Sequence, residues 1–132
     1  MLRMPAHRQN ISSGGPWEAR VGYSRAVRVG PCIWVSGCTA MTPAGIVGKA
    51  DPYAQARQAL ATIQRALEQS GAGMAHVVRT RTYLVDIRAW PEVARAHAEA
   101  FASVLPAATM VQVAALIDPD LLVEIEADAY IP

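Results

Sequence analysis

The chain has 132 residues, of which 52% are hydrophobic and 17% are charged, and its formal net charge at pH 7 is +1. This length is typical of one compact domain, which can bury roughly two-thirds of its unfolded surface without a metal or a disulfide. The near-neutral charge argues against nucleic-acid binding, and no apolar stretch approaches the ~20 residues that a membrane-spanning helix needs.

The high apolar fraction has two interpretations. It reflects either a large number of alanines or apolar surface that is buried between subunits, and we favour the second. The start of the chain, Met1 to Arg8, has basic residues with no apolar stretch after them, so it does not resemble a secretory signal. We therefore expect a cytoplasmic protein.

The two cysteines, Cys32 and Cys38, lie six residues apart. On one extended strand they would be roughly 20 Å apart, too far for a disulfide. Neither has nearby ligand partners in the sequence, so we expect reduced thiols and no metal site. A catalytic thiol is the weaker alternative, because no histidine or other base lies near either cysteine. No nucleotide-binding motif is present, and we expect no cofactor.

The first half of the chain predicts a loop, two strands and a helix. Residues 1–20 form an N-terminal segment in which glycines and a proline predict a loop over 10–20. Alternating residues predict strands over 23–29 and 31–38, joined at Gly30-Pro31, and Thr42-Pro43-Ala44-Gly45 predicts a turn.

The first helix is predicted from Asp51-Pro52, a favourable cap and first position, to Ser70-Gly71. Its apolar stripe has helical spacing and consists of Ala56, Leu60, Ile63 and Leu67.

The second half predicts a β-branched strand over 77–86 and a helix from near Trp90-Pro91 to about Ser103. Two more strands follow, over about 108–116 and 122–130, separated by Asp118-Pro119-Asp120. The apolar face of the second helix carries Val93, Ala96, Ala100 and Phe101. The order β-β-α-β-α-β-β predicts a single α+β domain, in which one mixed sheet packs two helices on one face and leaves the other open.

Five short segments carry a resemblance to a known family. They are Gly22-Tyr23, Val35-Ser36-Gly37, Tyr83-Leu84-Val85-Asp86 and the C-terminal pair Leu105–Val113 with Leu122–Ala127. In this order and spacing, the chain from about Gly22 to Ala129 resembles the RidA/YjgF family of small trimeric imine and enamine deaminases. The resemblance implies a chorismate-mutase-like fold, a homotrimer that buries the open sheet face, and small-molecule sites in the clefts between subunits.

The resemblance also implies roles for individual residues. Glu124 matches the glutamate that orients the attacking water, and Met110 matches a position whose backbone carbonyl helps to hold that water. Tyr23 matches a pocket tyrosine contributed across the subunit interface, and Ser36 and Gly37 match residues that line the same cleft. Thr109, beside Met110, is included with this substrate-binding set.

Ala108 is where the chain departs from the family. The family has an arginine two residues after the proline, and its planar guanidinium grips the carboxylate of the substrate with two hydrogen bonds. Without it we expect a loss of roughly two to four powers of ten in specificity. Either the substrate has no carboxylate here, or another cation replaces the arginine, or the protein only binds its ligand.

Three arginines are candidates to replace it. Arg79 and Arg81 share a strand face with Tyr83, whereas Arg25 lies two residues from Tyr23. The alternative for Arg81 is cross-strand ion pairing with the acidic face of the last strand, worth at most about 1 kcal/mol per pair. That face comprises Glu124, Glu126, Asp128 and Tyr130.

His97 lies on the apolar stripe of its helix, four residues from Val93 and from Phe101. It is either a hydrogen-bonded core residue, which is the commoner case, or a proton donor or acceptor at the pocket wall.

Three functions remain after the sequence analysis. The first is a hydrolase of imines or enamines with an altered substrate, and the second is a non-catalytic trimer that binds a small molecule. The third, a ribonuclease or translation inhibitor as some relatives are labelled, is disfavoured by the near-neutral charge.

Overall fold

The computed structural model describes residues 7–132. It consists of a six-stranded sheet, a small hairpin and three helices. The strands are β1 (Arg8–Ile11), β2 (Ala26–Val29), β3 (Cys32–Cys38), β4 (Met41–Thr42), β5 (Gly45–Ile46), β6 (Val77–Leu84), β7 (Ala107–Gln112) and β8 (Val123–Tyr130). The helices are α1 (Pro16–Val21), α2 (Pro52–Gln69) and α3 (Trp90–Phe101).

The sheet is mixed, as the sequence predicts. Its strand order is β1-β2-β3-β8-β6-β7, in which every neighbouring pair is antiparallel except the parallel pair β6 and β7. Strands β4 and β5 form a separate hairpin around the predicted turn at Thr42–Gly45. The predicted α+β class, with two long helices beside one mixed sheet, is confirmed.

Helix α2 begins and ends where its sequence indicates. The side chain of Asp51 accepts a hydrogen bond from the backbone N–H of Ala54, which satisfies one of the free donors at the helix start. Ser70 is the C-cap and Gly71 follows with a φ of 88°, a conformation that favours glycine. The whole predicted apolar stripe, from Ala56 to Leu67, is buried in the core.

The two faces of the sheet differ in burial. On β8 the side chains of Val123, Ile125, Ala127 and Ala129 are buried in the core that the helices cover. The alternating side chains, from Glu124 to Tyr130, lie on the open face. Trp34 and Tyr130 remain 49% and 48% exposed there, so a single chain leaves apolar surface uncovered.

The prediction of a loop over 10–20 is wrong. Residues Arg8–Ile11 pair with β2, and the Gly-Pro sequence starts a helix rather than only interrupting the chain, because Pro16 occupies its first turn. Gly22, with a φ of 87°, ends that helix. The prediction that the start of the chain, Met1 to Arg8, is not a secretory signal concerns mainly residues 1–6, which lie outside the described residues.

Several predicted boundaries shift by a few residues. Strand β6 ends at Leu84, where Gln112 is its last partner, so β7 stops at Gln112 instead of continuing to residue 116. Strand β2 starts at Ala26 rather than residue 23, because residues 22–25 lead out of α1. Helix α3 ends at Phe101, two residues before the predicted end.

Within residues 7–132 no helix is both long enough and apolar enough to cross a membrane.

Candidate active site

Glu124 lies on the open face of the sheet, opposite Tyr83 of β6. Its carboxylate packs against the backbone of Gly37 on the other neighbouring strand, β3. A Cβ atom at position 37 would fall 2.5 Å from Oε2 and 2.8 Å from Cδ of Glu124, far closer than real side-chain atoms approach. Glycine at position 37 therefore makes room for the Glu124 side chain to lie across the strand.

A bulge in β3 produces this close approach. Val35 pairs with Ala127 and Cys38 with Ile125, so three steps along β3 match two steps along β8. The extra residue falls at Ser36-Gly37. The hydroxyl of Ser36 donates a hydrogen bond to the Ser24 carbonyl at 2.7 Å, which fixes the bulge to the segment before β2. Bulges commonly redirect side chains beside functional sites.

Arg25 links the bulge to Tyr23. Its Nη1 donates to the Gly37 carbonyl at 2.7 Å and to Cys38 Sγ at 3.3 Å, and its Nη2 donates to the Tyr23 hydroxyl at 3.2 Å. The backbone N–H of Ser36 donates to the Arg25 carbonyl at 2.9 Å. The structure thus brings Tyr23, Ser36, Gly37 and Glu124 together around one arginine, at one end of the open face.

The environment of Glu124 raises the pKa of its carboxyl. Burial raises the pKa of the Glu124 carboxyl above the ordinary value of 4.5, and the negative charge of Glu126 raises it further, while Arg25 opposes both. Glu126 also accepts a hydrogen bond from the Tyr83 hydroxyl at 2.7 Å, which raises the pKa of that tyrosine. A carboxyl whose pKa lies nearer neutrality is better suited to give and take a proton at physiological pH.

The proposed substrate residues on β7 lie elsewhere in the same chain. Ala108 and Met110 pair with Thr80 and Thr82, which are buried on the helix side of the sheet. Thr109 pairs with Arg81 and faces the open side. Because β6 separates β7 from β8, one chain does not bring Ala108 and Met110 to Glu124.

Arg81 is engaged in ion pairs. Its Nη1 lies 3.2 Å from Oδ2 of Asp128 and 3.8 Å from Oε1 of Glu126. Arg79 lies further along the strand and donates from Nη2 to the Thr109 hydroxyl at 2.7 Å. This arrangement agrees with the cross-strand ion pairing considered for Arg81, since two carboxylates already balance its charge.

His97 lies on the opposite side of the sheet from Glu124. Its Nε2 is 2.8 Å from the hydroxyl of buried Thr80, and its ring centroid is 4.7 Å from that of Phe101. Burial lowers the pKa of His97, which favours the neutral ring. The placement fits the hydrogen-bonded core histidine and puts no part of the ring in the cleft beside Glu124.

The cysteines are both free, and Cys38 is buried. Burial raises the pKa of the Cys38 thiol, although the neighbouring Arg25 opposes that effect. A protonated, buried thiol is a poor nucleophile. Among the residues that the structure describes, no three or more His, Cys, Asp or Glu side chains are grouped so as to hold a metal ion.

An open depression of about 540 Å³ adjoins this group of residues. It lies between β1, α1 and the start of β2, and Tyr23 and Ser36 form part of its wall together with Asn10, Ser12 and Glu18. Glu18 is buried and accepts hydrogen bonds from the backbone and hydroxyl of Ser13, so its carboxylate holds the loop before α1.

The sequence analysis did not anticipate the position of Arg25 beside Gly37 and Cys38. The only signal was its two-residue distance from Tyr23. The contact itself depends on the pairing of β2 with β3 and on the bulge, neither of which has a clear local signature.

Comparison with known proteins identifies relatives along almost the whole chain. Residues 16–131 match the family model described as Endoribonuclease L-PSP. An uncharacterized protein of Streptomyces coelicolor, SCO2049, is 39% identical over 122 residues, which cover 92% of this chain and 91% of that protein. A goat protein named 2-iminobutanoate/2-iminopropanoate deaminase is 37% identical over 110 residues, covering 82% of this chain and 80% of that protein.

A solved structure shares the fold. It is that of Rv2704 from Mycobacterium tuberculosis, described as a member of the YjgF/YER057c/UK114 family. It is 52% identical, covers 95% of this chain and 100% of that one, and superposes with a TM-score of 0.88.

Proposed function

Because the chain belongs to the Endoribonuclease L-PSP family, we propose that it binds a small metabolite on its open sheet face and hydrolyses an imine or enamine there. The observation that carries this proposal is the glutamate that lies against the bulge glycine. Glu124 lies against Gly37 and has a raised pKa. By the resemblance in sequence, it matches the glutamate that orients the attacking water in the RidA/YjgF family.

The chemistry requires one water molecule and a group that moves its proton. Glu124 takes a proton from the water as the oxygen forms a bond to the imine carbon. The proton then goes to the nitrogen, which gives a carbinolamine. The hydroxyl proton of the carbinolamine moves by way of Glu124 to the same nitrogen as the carbon–nitrogen bond breaks, and ammonia and a carbonyl product are released. Tyr23, Ser36 and Gly37 form the wall beside which the substrate lies, and Ala108, Thr109 and Met110 contribute from a neighbouring copy.

We propose a homotrimer as the functional state. The open face leaves Trp34 and Tyr130 about half exposed, and apolar surface of this kind is commonly covered by association. One chain also separates the β7 residues from Glu124. A second copy that supplied its own β7 would complete a cleft that one chain leaves open.

The goat relative is named for two 2-imino acids. For this chain the 2-imino acids are therefore the first substrate class to test, although Ala108 removes the arginine that the family uses for their carboxylate.

A non-catalytic binding trimer is the second candidate function, and Ala108 is the observation that favours it. A pocket that keeps its walls but loses its carboxylate grip would bind a different ligand without hydrolysing it. A ribonuclease role stays the weakest of the three, because the net charge of +1 offers little attraction to RNA.

The experiment that tests the proposal is hydrolysis of enamines freshly generated from several amino acids, comparing the wild type with Ala108→Arg. Hydrolysis by the wild type above the buffer rate supports the proposed enzyme. If only Ala108→Arg is active, the chain is a deaminase framework without its anchor, and the binding role replaces the enzymatic one. If neither protein is active, the proposed hydrolysis is wrong.

A further inference from the structure

Arg25, Arg79 and Arg81 all lie on the open face, and they differ in their partners and in their position relative to Glu124. Arg81 contacts two carboxylates, Asp128 and Glu126. Arg79 lies at the far end of β6, where it pairs with Asp128 in register and donates to Thr109. Arg81 is therefore already paired, and Arg79 lies four residues along β6 from Tyr83, the partner of Glu124.

Arg25 differs from Arg81 because its hydrogen-bond partners carry no formal charge, and from Arg79 because it contacts Gly37, the residue against which the Glu124 carboxylate packs. Its guanidinium contacts the Gly37 carbonyl, the Cys38 sulfur and the Tyr23 hydroxyl. Its Nε atom, like that of Arg79, is buried and has no hydrogen-bond partner among the described residues. A buried donor without a partner is uncommon and costs stability, which makes it a position where a missing acceptor is expected.

Arg25 and Glu124 have opposite charges and lie on two sides of the same glycine. Each influences the other electrostatically, yet they form no ion pair within 4.0 Å in the described range 7–132. A guanidinium and a carboxyl group that lie against the same glycine suit a small ligand with a negative group at one end and a protonated nitrogen at the other.

We propose that Arg25 is the residue of this chain that holds the substrate's carboxylate, in place of the arginine that is absent at Ala108. This inference rests on the proposed function and specifies its substrate as a 2-imino acid. The iminium end of the substrate lies at Glu124, and its carboxylate accepts hydrogen bonds from the guanidinium of Arg25. The anion site thus lies on the same subunit as Glu124, on the wall formed by Tyr23 and Gly37.

The test measures binding rather than turnover, so that it stays informative if the protein does not hydrolyse imines. The probe is 2-oxobutanoate, the stable carbonyl product of 2-iminobutanoate hydrolysis, compared with its uncharged amide, 2-oxobutanamide. The wild type should bind the carboxylate at least about tenfold more tightly than the amide. Arg25→Gln should abolish this preference, and Arg25→Lys should retain part of it, because lysine keeps the charge without the planar fork.

Controls separate a lost contact from a damaged fold. Arg88→Gln removes an exposed arginine that pairs with Asp86 in the turn after β6, and it should leave both affinities unchanged. Arg81→Gln should also keep the preference. Ala108→Arg added to Arg25→Gln should restore it, because a second cation then reaches the same carboxylate.

The outcomes are distinguishable from those of the proposed function. A carboxylate preference that depends on Arg25 supports the inference even if no turnover is found. Equal affinities of wild type and Arg25→Gln for 2-oxobutanoate overturn it, even in an active enzyme. Loss of the preference in Arg81→Gln would assign the anion to Arg81 and overturn the inference. The inference would also be overturned if the wild type did not bind 2-oxobutanoate at millimolar concentration.

Discussion

The carboxylate of Glu124 and the backbone of Gly37 occupy adjoining space that leaves no room for a side chain at position 37. A Cβ atom there would lie 2.5 Å from Oε2, 2.8 Å from Cδ and 3.1 Å from Cγ of Glu124. Three atoms of one side chain would therefore have to move, and the carboxylate would leave its present position. The relationship connects a backbone irregularity, the β3 bulge, to the group that we propose as the catalyst.

Gly37→Ala should consequently lower turnover by about 100-fold, since a misplacement of about 1 Å in a catalytic group can have an effect of that size. The measurement is kcat with a freshly generated 2-imino acid. Gly73→Ala is the matched control, because a Cβ atom at Gly73 meets nothing within 4 Å. Wild-type kcat in Gly37→Ala would show that the position of the Glu124 carboxylate does not matter for the reaction.

The pH dependence of turnover should follow the ionisation of Glu124. Burial raises the pKa of this carboxyl above 4.5, so activity should fall, as pH is lowered, at a higher pH than an ordinary glutamate would produce. Glu126→Gln removes a neighbouring negative charge that raises the same pKa, and it should move the acid limb to lower pH. The profile of kcat/KM, corrected for the uncatalysed rate at each pH, provides the test. An acid limb that does not move in Glu126→Gln would exclude Glu124 as its source.

His97 should contribute to stability and not to turnover. His97→Leu leaves the buried hydroxyl of Thr80 without its partner, and it should lower the free energy of unfolding by about 1–3 kcal/mol. Thr80→Val combined with His97→Leu should recover part of that loss, since both polar partners are then removed. Chemical denaturation at a fixed protein concentration measures these differences. A large loss of kcat in His97→Leu protein that remains folded would contradict this role.

The same histidine should make the wild type sensitive to acid. Burial lowers the pKa of His97 below 6.5, so the neutral ring stabilises the fold above pH 6.5. That contribution is lost as pH falls through the lowered pKa in the folded state. The stability difference between wild type and His97→Leu should therefore shrink on acidification.

The open sheet face should be covered in solution by two further copies of the chain. Light scattering should find a particle of about 42 kDa, three times the 14.1 kDa of one chain. Trp34→Glu, which places a charge on the open face opposite Asp128, should dissociate it. Trp90→Glu is the control, because Trp90 is 56% exposed at the start of α3. A stable wild-type monomer would contradict the proposed trimer and its clefts.

The sequence predicts those features that depend on residues close together in the chain. The cap at Asp51, the stripe from Ala56 to Leu67 and the alternation along β8 are all local, and they identify the helices, the strands and the open face. Residues 10–20 were predicted wrongly because Gly and Pro have two meanings. They interrupt a chain, but a proline in the first turn and a glycine at the end also delimit a helix as short as α1.

The arrangement of the site depends on contacts between distant residues and could not be predicted in the same way. The sequence selected Tyr23, Ser36, Gly37 and Glu124 through resemblance, but it gave no reason for Gly37 to touch Glu124. It also left open whether Arg25, Arg81 or His97 points into the cleft. Strand register separates them: it pairs Arg81 with an acidic strand and places His97 beyond the sheet, whereas Arg25 lies beside the bulge.

The most direct measurement compares the rates at which wild type and Glu124→Gln consume freshly generated 2-iminobutanoate, with both proteins first shown by light scattering to have the same mass. Glutamine keeps the size of the side chain but cannot take up the proton from water. We expect the wild type to accelerate hydrolysis and Glu124→Gln to reduce the enzymatic rate by about 100-fold or more. Equal rates in the two proteins, or no acceleration by the wild type with any 2-imino acid, would contradict the proposed role of Glu124 as the catalyst.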